Sequence, residues 1–190
     1  MPRPSVRGKL LLAGLDTLHS KGFNGCSIQD ITEAAGVPKG SFFNHFKSKE
    51  LLVLDVLVPY GESNRIDMLF DQTKPPLERL RHHFNFLAES YARFDFERGC
   101  LLGNLGAEIA TSHPPVREAL REILQAWAGI VAGVLREAQE AGEIRPDLNV
   151  EELGNFLVNA WEGVVLRLKI VKNRAPVDEF LDVCFGILLR

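Results

Sequence analysis

The chain has 190 residues, 46% hydrophobic and 25% charged, with a net charge of −3, ordinary values for a soluble globular protein of one domain or a small domain joined to a larger one. No run approaches the roughly eighteen uninterrupted apolar residues of a membrane helix, and the basic start Met-Pro-Arg-Pro-Ser-Val-Arg-Gly-Lys lacks the apolar stretch of a secretory signal. Cys26, Cys100 and Cys184 are widely spaced and odd in number, which excludes a disulfide framework and a zinc spacing and fits a reducing, cytoplasmic setting.

Apolar residues recur at intervals of three and four almost throughout, and alternation at two is rare. The expected fold is therefore all-α, with about nine helices. Helix 1 is expected from about Ser5 to Lys21, with an apolar side of Val6, Leu10, Ala13, Leu15 and Leu18. Gly22 and Asn24-Gly25 break it. Ser27 caps helix 2, with Asp30 at its positive end. Gly36 closes that helix, and Pro38 fits the first turn of helix 3. Ser48 caps helix 4, from Lys49 to about Gln72, with a kink or break at Pro59 and Gly61. Helix 5 spans about Leu77–Glu97, a short helix 6 covers Leu101–Thr111, and Pro114-Pro115 opens helix 7, which runs to about Ala141. Val150–Lys172 and Val177–Leu189 complete the chain.

The charge is uneven along this order. Residues 1–49 hold seven Lys/Arg (Arg3, Arg7, Lys9, Lys21, Lys39, Lys47, Lys49) against Asp16, Asp30 and Glu33, a net +4, which leaves −7 for the remainder. A basic head on an acidic body suits a polyanionic partner. Within the head, residues 27–49 read as two short helices joined by a tight turn. Phe42 and Phe46 lie four apart and can share one inward face. Lys39, Gly40, Ser41, Phe43, Asn44 and His45 are then left mostly outward. Gly40 allows close approach to a phosphate or base. Ser41 and His45 offer short polar groups, and Lys39, Lys47 and Lys49 supply charge. Ser27 and Gln29 at the front of helix 2 add hydrogen-bonding groups. The order of caps, breaks and core phenylalanines fits a helix-turn-helix.

The run Ala35-Gly36-Val37-Pro38-Lys39-Gly40-Ser41-Phe42-Phe43-Asn44-His45-Phe46-Lys47-Ser48-Lys49-Glu50-Leu51-Leu52 resembles the N-terminal signature of the TetR family of one-component transcriptional regulators. Leu12-Ala13 and Lys21-Gly22-Phe23 resemble the family's opening segment, so the match covers about residues 5–55. The resemblance implies an all-α homodimer, usually a repressor, whose larger C-terminal domain binds a small effector and releases DNA. It places Ser27, Gln29, Lys39, Gly40, Ser41, Phe43, His45 and Lys49 where the family contacts its operator. Phe43 departs from the family's common tyrosine: the ring is kept and a phosphate hydrogen bond is lost. The expected division is 1–50 for DNA binding and 51–190 for effector binding and dimerisation.

The body offers bulky apolar residues with polar groups among them, and a buried polar group must find a partner, which a ligand can supply. The expected effector site comprises Phe84, Leu87, Tyr91, Cys100, Leu101, Asn104, Glu108, Trp127, Val131 and Trp161. His83, Asn155, Asn159 and Arg167 are further polar residues in apolar surroundings. Two readings of Cys100 stand. It begins helix 6 beside Arg98, where the helix dipole and a cation favour a reactive thiolate, and Gly99-Cys100-Leu101 resembles TetR-type sensors of electrophiles or small unsaturated acids. Free cysteine is also commonly buried and inert. Cys26 and Cys184 read as packing residues.

His82 and His83 are adjacent on a helix and point about 100° apart, too far to share one ion; no metal, cofactor or catalytic site is expected. The last two helices (150–189) carry Leu153, Phe156, Leu157, Ala160, Val164 and Leu168, then Phe180, Leu181, Cys184, Phe185, Ile187 and Leu188. Stripes this wide suit a four-helix homodimer interface reading a near-palindromic operator. An enzyme with a DNA-targeting head finds no support in the residue pattern. An activator, or an effector-free DNA-binding protein, stays open beside the repressor.

Overall fold

The structure, a computed structural model, describes residues 5–190; Arg3 of the basic head lies outside them. Side-chain hydrogen bonds cap several of the helix starts. In α1 (Val6–Lys21) the Ser5 hydroxyl accepts the Gly8 N–H at 3.1 Å. In α2 (Ile28–Ala34) Ser27 and Asp30 form a capping box: the Asp30 N–H reaches the Ser27 hydroxyl at 3.1 Å and the Ser27 N–H reaches the Asp30 carboxylate at 2.8 Å. Gly36, at φ 64°, then ends the helix. Its N–H bonds the Glu33 carbonyl and the Val37 N–H bonds the Thr32 carbonyl, both at 3.0 Å, the paired closure that a left-handed residue permits. A four-residue α3 (Gly40–Phe43) follows. Ser48 starts α4 (Lys49–Ser63) by accepting the Leu51 N–H at 3.2 Å.

Helix 4 differs from its expected form in two ways. It runs through Pro59 unbroken, because burial of Val56, Leu57 and Tyr60 offsets the lost backbone hydrogen bond. It then stops at Ser63, nine residues short of Gln72. Arg65 turns left-handed at φ 53° and a 3₁₀ turn occupies Ile66–Phe70. The inward stripe of α1 is also narrower than expected: Leu10, Gly14, Thr17 and Leu18 are buried, and Val6 is exposed.

The chain packs as two compact units. The first is the segment up to Ser63 with Cys100–Leu120; the second is Asn64–Gly99 with Arg121–Arg190. The first unit therefore includes α6 (Leu101–Ile109) and the opening of α7 (Pro114–Glu140), as well as the helix-turn-helix.

The second unit holds α5 (Pro76–Ala92), the rest of α7, α8 (Val150–Val171), α9 (Ala175–Val183) and a π-helical turn at Cys184–Leu188. Helix α5 ends five residues before Glu97, since Asp95 and Phe96 adopt φ of 51° and 57° and the Phe96 N–H turns back to the Tyr91 carbonyl. Asn149 caps α8 by accepting from the N–H groups of Glu151 and Glu152. Gly154 lets α8 cross α7 closely: a Cβ there would lie 2.6 Å from the Ala128 carbonyl oxygen.

The core of this unit is aromatic. Phe84, Trp161 and Phe180 meet pairwise with ring centroids 5.0–5.4 Å apart. The apolar stripes of α8 and α9 divide between inside and outside. Leu157, Leu168, Phe180, Leu181 and Cys184 are buried within the unit, while Phe156, Leu166, Ile170, Val183 and Ile187 are exposed. Among the described residues no helix is long and apolar enough to cross a membrane.

Candidate nucleic-acid interface and effector site

The reading head is built on two phenylalanines. Phe42 is fully buried and Phe46 nearly so, with ring centroids 5.6 Å apart. The Arg7 guanidinium lies 5.3 Å over the Phe46 ring and pairs with Asp55 at 2.5 Å, tying α1 to α4. Around this core Lys39, Gly40, Phe43, Asn44, His45 and Lys47 are exposed and Ser41 is half-buried. Phe43 shows 56% of its surface and meets Phe42 edge-on at 5.4 Å. Small, cationic and polar groups on and beside one short helix are what contact with phosphates and base edges requires.

The residues of helix 2 are more occupied. The Ser27 hydroxyl is engaged with Asp30 in the capping box. The Gln29 side-chain amide is exposed and donates to Glu33 at 2.8 Å. Asp30 is held far below the usual carboxylate range, first by the hydrogen bond from Lys21 and then by those from Ser27.

Lys49 departs from the expected role. Its ammonium donates to the carbonyls of Phe23 and Cys26, both at 2.6 Å, and sits 4.0 Å from the centre of the Phe23 ring. It ties down the α1–α2 loop and does not face outward. Glu108, expected in the effector site, serves the same loop from α6: its carboxylate accepts the Phe23 N–H at 2.7 Å and the Asn24 N–H at 2.6 Å. One short loop is thus gripped by a cation on its carbonyls and an anion on its N–H groups. Its Phe23 ring also packs edge-on against His113 at 4.9 Å.

The other expected effector residues fall into both units. In the first, Cys100 stands at the start of α6, without a side-chain capping hydrogen bond, and it is buried. The Tyr60 hydroxyl donates to its sulfur at 3.5 Å and accepts the Leu101 N–H at 3.0 Å. Arg98, expected to activate the thiol, has its guanidinium stacked 3.9 Å from the centre of the Phe94 ring. Asn104 is half-buried on α6, and Leu101 is fully buried.

In the second unit Phe84, Leu87, Tyr91, Trp127, Val131 and Trp161 are all buried. Phe84 and Trp161 belong to the aromatic core, Tyr91 approaches Trp161 at 6.4 Å, and Trp127 approaches Phe84 at 6.4 Å. His83 joins them. It is fully buried on α5, its ring 5.8 Å from that of Trp127, and burial lowers its pKa to about 4 with a weak opposing effect from Asp67. His82, its neighbour in sequence, is exposed near Glu78 at 3.9 Å. Among the described residues no group of three or more His, Cys, Asp or Glu side chains could hold a metal. Burial pushes the Cys184 thiol up to about 11 and raises that of Cys26, as suits packing residues.

Both the head and the body of the chain match known protein families. Residues 10–56 match the model of the bacterial regulatory proteins of the TetR family, and residues 76–184 match that of the tetracyclin repressor-like C-terminal domain. The HTH-type transcriptional repressor DhaR of Mycobacterium sp. (strain GP1) is 38% identical over 192 residues, covering 100% of this chain and 95% of that protein. The transcriptional regulator AcuR of Cereibacter sphaeroides is 36% identical over 174 residues, covering 90% of this chain and 80% of that one. The crystal structure of a regulatory protein TetR from Rhodobacter sphaeroides superposes with a TM-score of 0.87 at 35% identity, covering 94% of this chain and 95% of that one. With an exposed helix-turn-helix on a phenylalanine core and a helical body matched over most of its length, the chain belongs to the TetR family of DNA-binding transcriptional regulators.

Proposed function

We propose that this regulator is a cytoplasmic homodimeric repressor that leaves a near-palindromic operator when a small molecule binds its body. Residues 1–50 form the reading head and 51–190 the effector-binding and dimerisation region. The observation that carries the reading is the exposed face of α3, where Lys39, Gly40, Phe43, Asn44, His45 and Lys47 surround the buried Phe42 and Phe46. Phosphate contacts from this face dominate affinity and make it strongly salt-dependent. Two heads related by a two-fold axis read half-sites about one helical turn apart.

The exposed apolar groups of α8 and α9 supply the dimer face. The buried aromatic cluster of the second unit is the place for the effector. Tyr60 donating to a buried Cys100 sulfur favours a packed thiol over covalent sensing, so reversible binding is the preferred trigger.

Selection of bound sequences from random duplex DNA tests the proposal. The expected product is an inverted repeat whose affinity falls steeply between low and physiological salt. Recovery of a motif without two-fold symmetry, or no enrichment at all, overturns it. Cys100→Ser tests the covalent alternative: equal DNA release by wild type and variant on exposure to an electrophile rules that trigger out.

A further inference from the structure

The buried face of α5 and its neighbours in the second unit carry hydrogen-bonding groups that nothing in the protein satisfies. Both ring nitrogens of His83 lack a protein partner, as do the indole N–H groups of Trp127 and Trp161. Such groups are costly to bury unpaired, each by roughly 1–3 kcal/mol, and protein interiors seldom leave them so. The unpaired groups here share one neighbourhood. His83 approaches Trp127 at 5.8 Å, and Phe84 lies between the two indoles, 6.4 Å from Trp127 and 5.0 Å from Trp161. Three unpartnered donors, one from a neutral imidazole and two from indoles, thus belong to rings packed near Phe84.

The chemistry of this set is one-sided. Indole N–H is a donor only, and a neutral imidazole gives one donor and one acceptor. One turn before His83 on α5, the Arg79 guanidinium donates to the Leu69 carbonyl at 2.8 Å and pairs with the Glu137 carboxylate, while its Nε–H is buried without a partner. The Arg79 charge is thus already balanced by Glu137, so an ionised ligand would draw no spare counter-charge from it, and burying a charge unpaired is penalised heavily.

We infer that His83, Trp127 and Trp161 form the polar part of the effector site, and that the effector is a small molecule uncharged when bound, with a carbonyl-type oxygen on a short apolar body. The oxygen accepts from the indole and imidazole N–H groups while the apolar part lies on Phe84. This assignment rests on the reading of the second unit as an effector-binding unit. It adds His83 to the site and names the class of ligand.

The chain has only two tryptophans, so the indole N–H region of a proton–nitrogen NMR spectrum holds two signals. Trp127→Phe and Trp161→Phe each remove one and assign the other. The full-length wild-type protein is titrated with acetone, propionamide and propionate at pH 7.5. The expected result is a saturable downfield shift of at least one indole signal with the two uncharged carbonyl compounds. His83→Ala is expected to weaken that binding by roughly fivefold to tenfold, the worth of one buried hydrogen bond. Propionate binding more tightly than propionamide overturns the uncharged class. Indole signals that no probe moves, because bound water alone satisfies them, overturn the site.

Operator release, followed by fluorescence anisotropy in the same titrations, separates the two levels. A compound that releases DNA while both indoles stay fixed keeps the effector reading and overturns this site. Shifted indoles without release keep the site and count against the effector reading.

Discussion

Phe43 is the most exposed aromatic of the reading helix, held edge-on against Phe42 and otherwise open to solvent. Adding a hydroxyl to its ring disturbs no packing, so Phe43→Tyr is expected to leave stability within about 0.5 kcal/mol of wild type. At the operator the new O–H can donate to a phosphate. Affinity at fixed salt is expected to be unchanged or up to about tenfold tighter, the range of one net hydrogen bond. Fluorescence anisotropy at a single ionic strength checks this, and a large loss of affinity would remove Phe43 from the interface. His83 makes a prediction about acid. Its folded pKa of about 4 lies below the ordinary histidine value of 6.5, so between those values the unfolded chain binds a proton that the folded protein does not. Stability is therefore complete above about pH 6.5, declines as the pH falls towards 4, and levels off below it. The total loss is at most about 3 kcal/mol. Urea melts of wild type and His83→Phe across that window are the measurement: the variant's slope should be shallower, and parallel slopes would mean that His83 is protonated in the folded state.

At the scale of elements, the α1–α2 loop is a joint held by opposite charges from α4 and α6. Glu108→Gln keeps the length of the side chain but leaves one carbonyl oxygen for two N–H groups. A loss of about 1–2 kcal/mol is expected, with faster hydrogen exchange at the Phe23 and Asn24 amides. Lys49→Met removes the cation from the Phe23 and Cys26 carbonyls. Because that ammonium is spent inside the protein, the variant should lose stability while the slope of log affinity against log salt stays as in wild type. A phosphate contact would instead reduce the slope by about 0.9. These same residues show what the sequence could and could not disclose. The Ser5, Ser27, Ser48 and Cys100 positions at helix starts were legible because a cap is written within three or four residues. The all-helical fold was legible because burial at three- and four-residue intervals is local too. The intramolecular roles of Lys49 and Glu108 were not legible because their partners lie 23 to 85 residues away along the chain. The end of α5 escaped notice because Asp95 and Phe96 turn left-handed without a glycine to announce it. His83 was visible as a polar residue in an apolar run, but only the folded arrangement sets its unpaired nitrogens beside two unpaired indoles.

For the molecule as a whole, the surface proposed to pair two subunits is the outward row of α8, Phe156, Leu166 and Ile170, with Val183 at the end of α9 and Ile187 in the π-helical turn after it. Ile170 and Ile187 leave 72% and 74% of their surface exposed, more than the interior of a single subunit would leave open on two neighbouring helices. Gly163 lies on the same outward row of α8 and adds no side chain to hold a second helix away. In a two-fold dimer each substitution appears twice on one self-complementary patch. The pair Ile170→Glu and Ile187→Glu would therefore place four carboxylates in that patch, where like charges cost several kcal/mol. The expected outcome is a monomer by sedimentation at micromolar concentration, with a helical circular dichroism spectrum and thermal transition retained, since neither side chain packs in the core. Affinity for an inverted-repeat operator should fall to that of an isolated half-site, because the second head no longer binds at the high effective concentration that the dimer provides. A control substitution to glutamate at exposed Ala92, at the end of α5, should leave both sedimentation and affinity unchanged. If the doubly substituted protein remains dimeric and binds the full operator as before, the subunits meet through another surface, and the exposed apolar row must be assigned to a different partner.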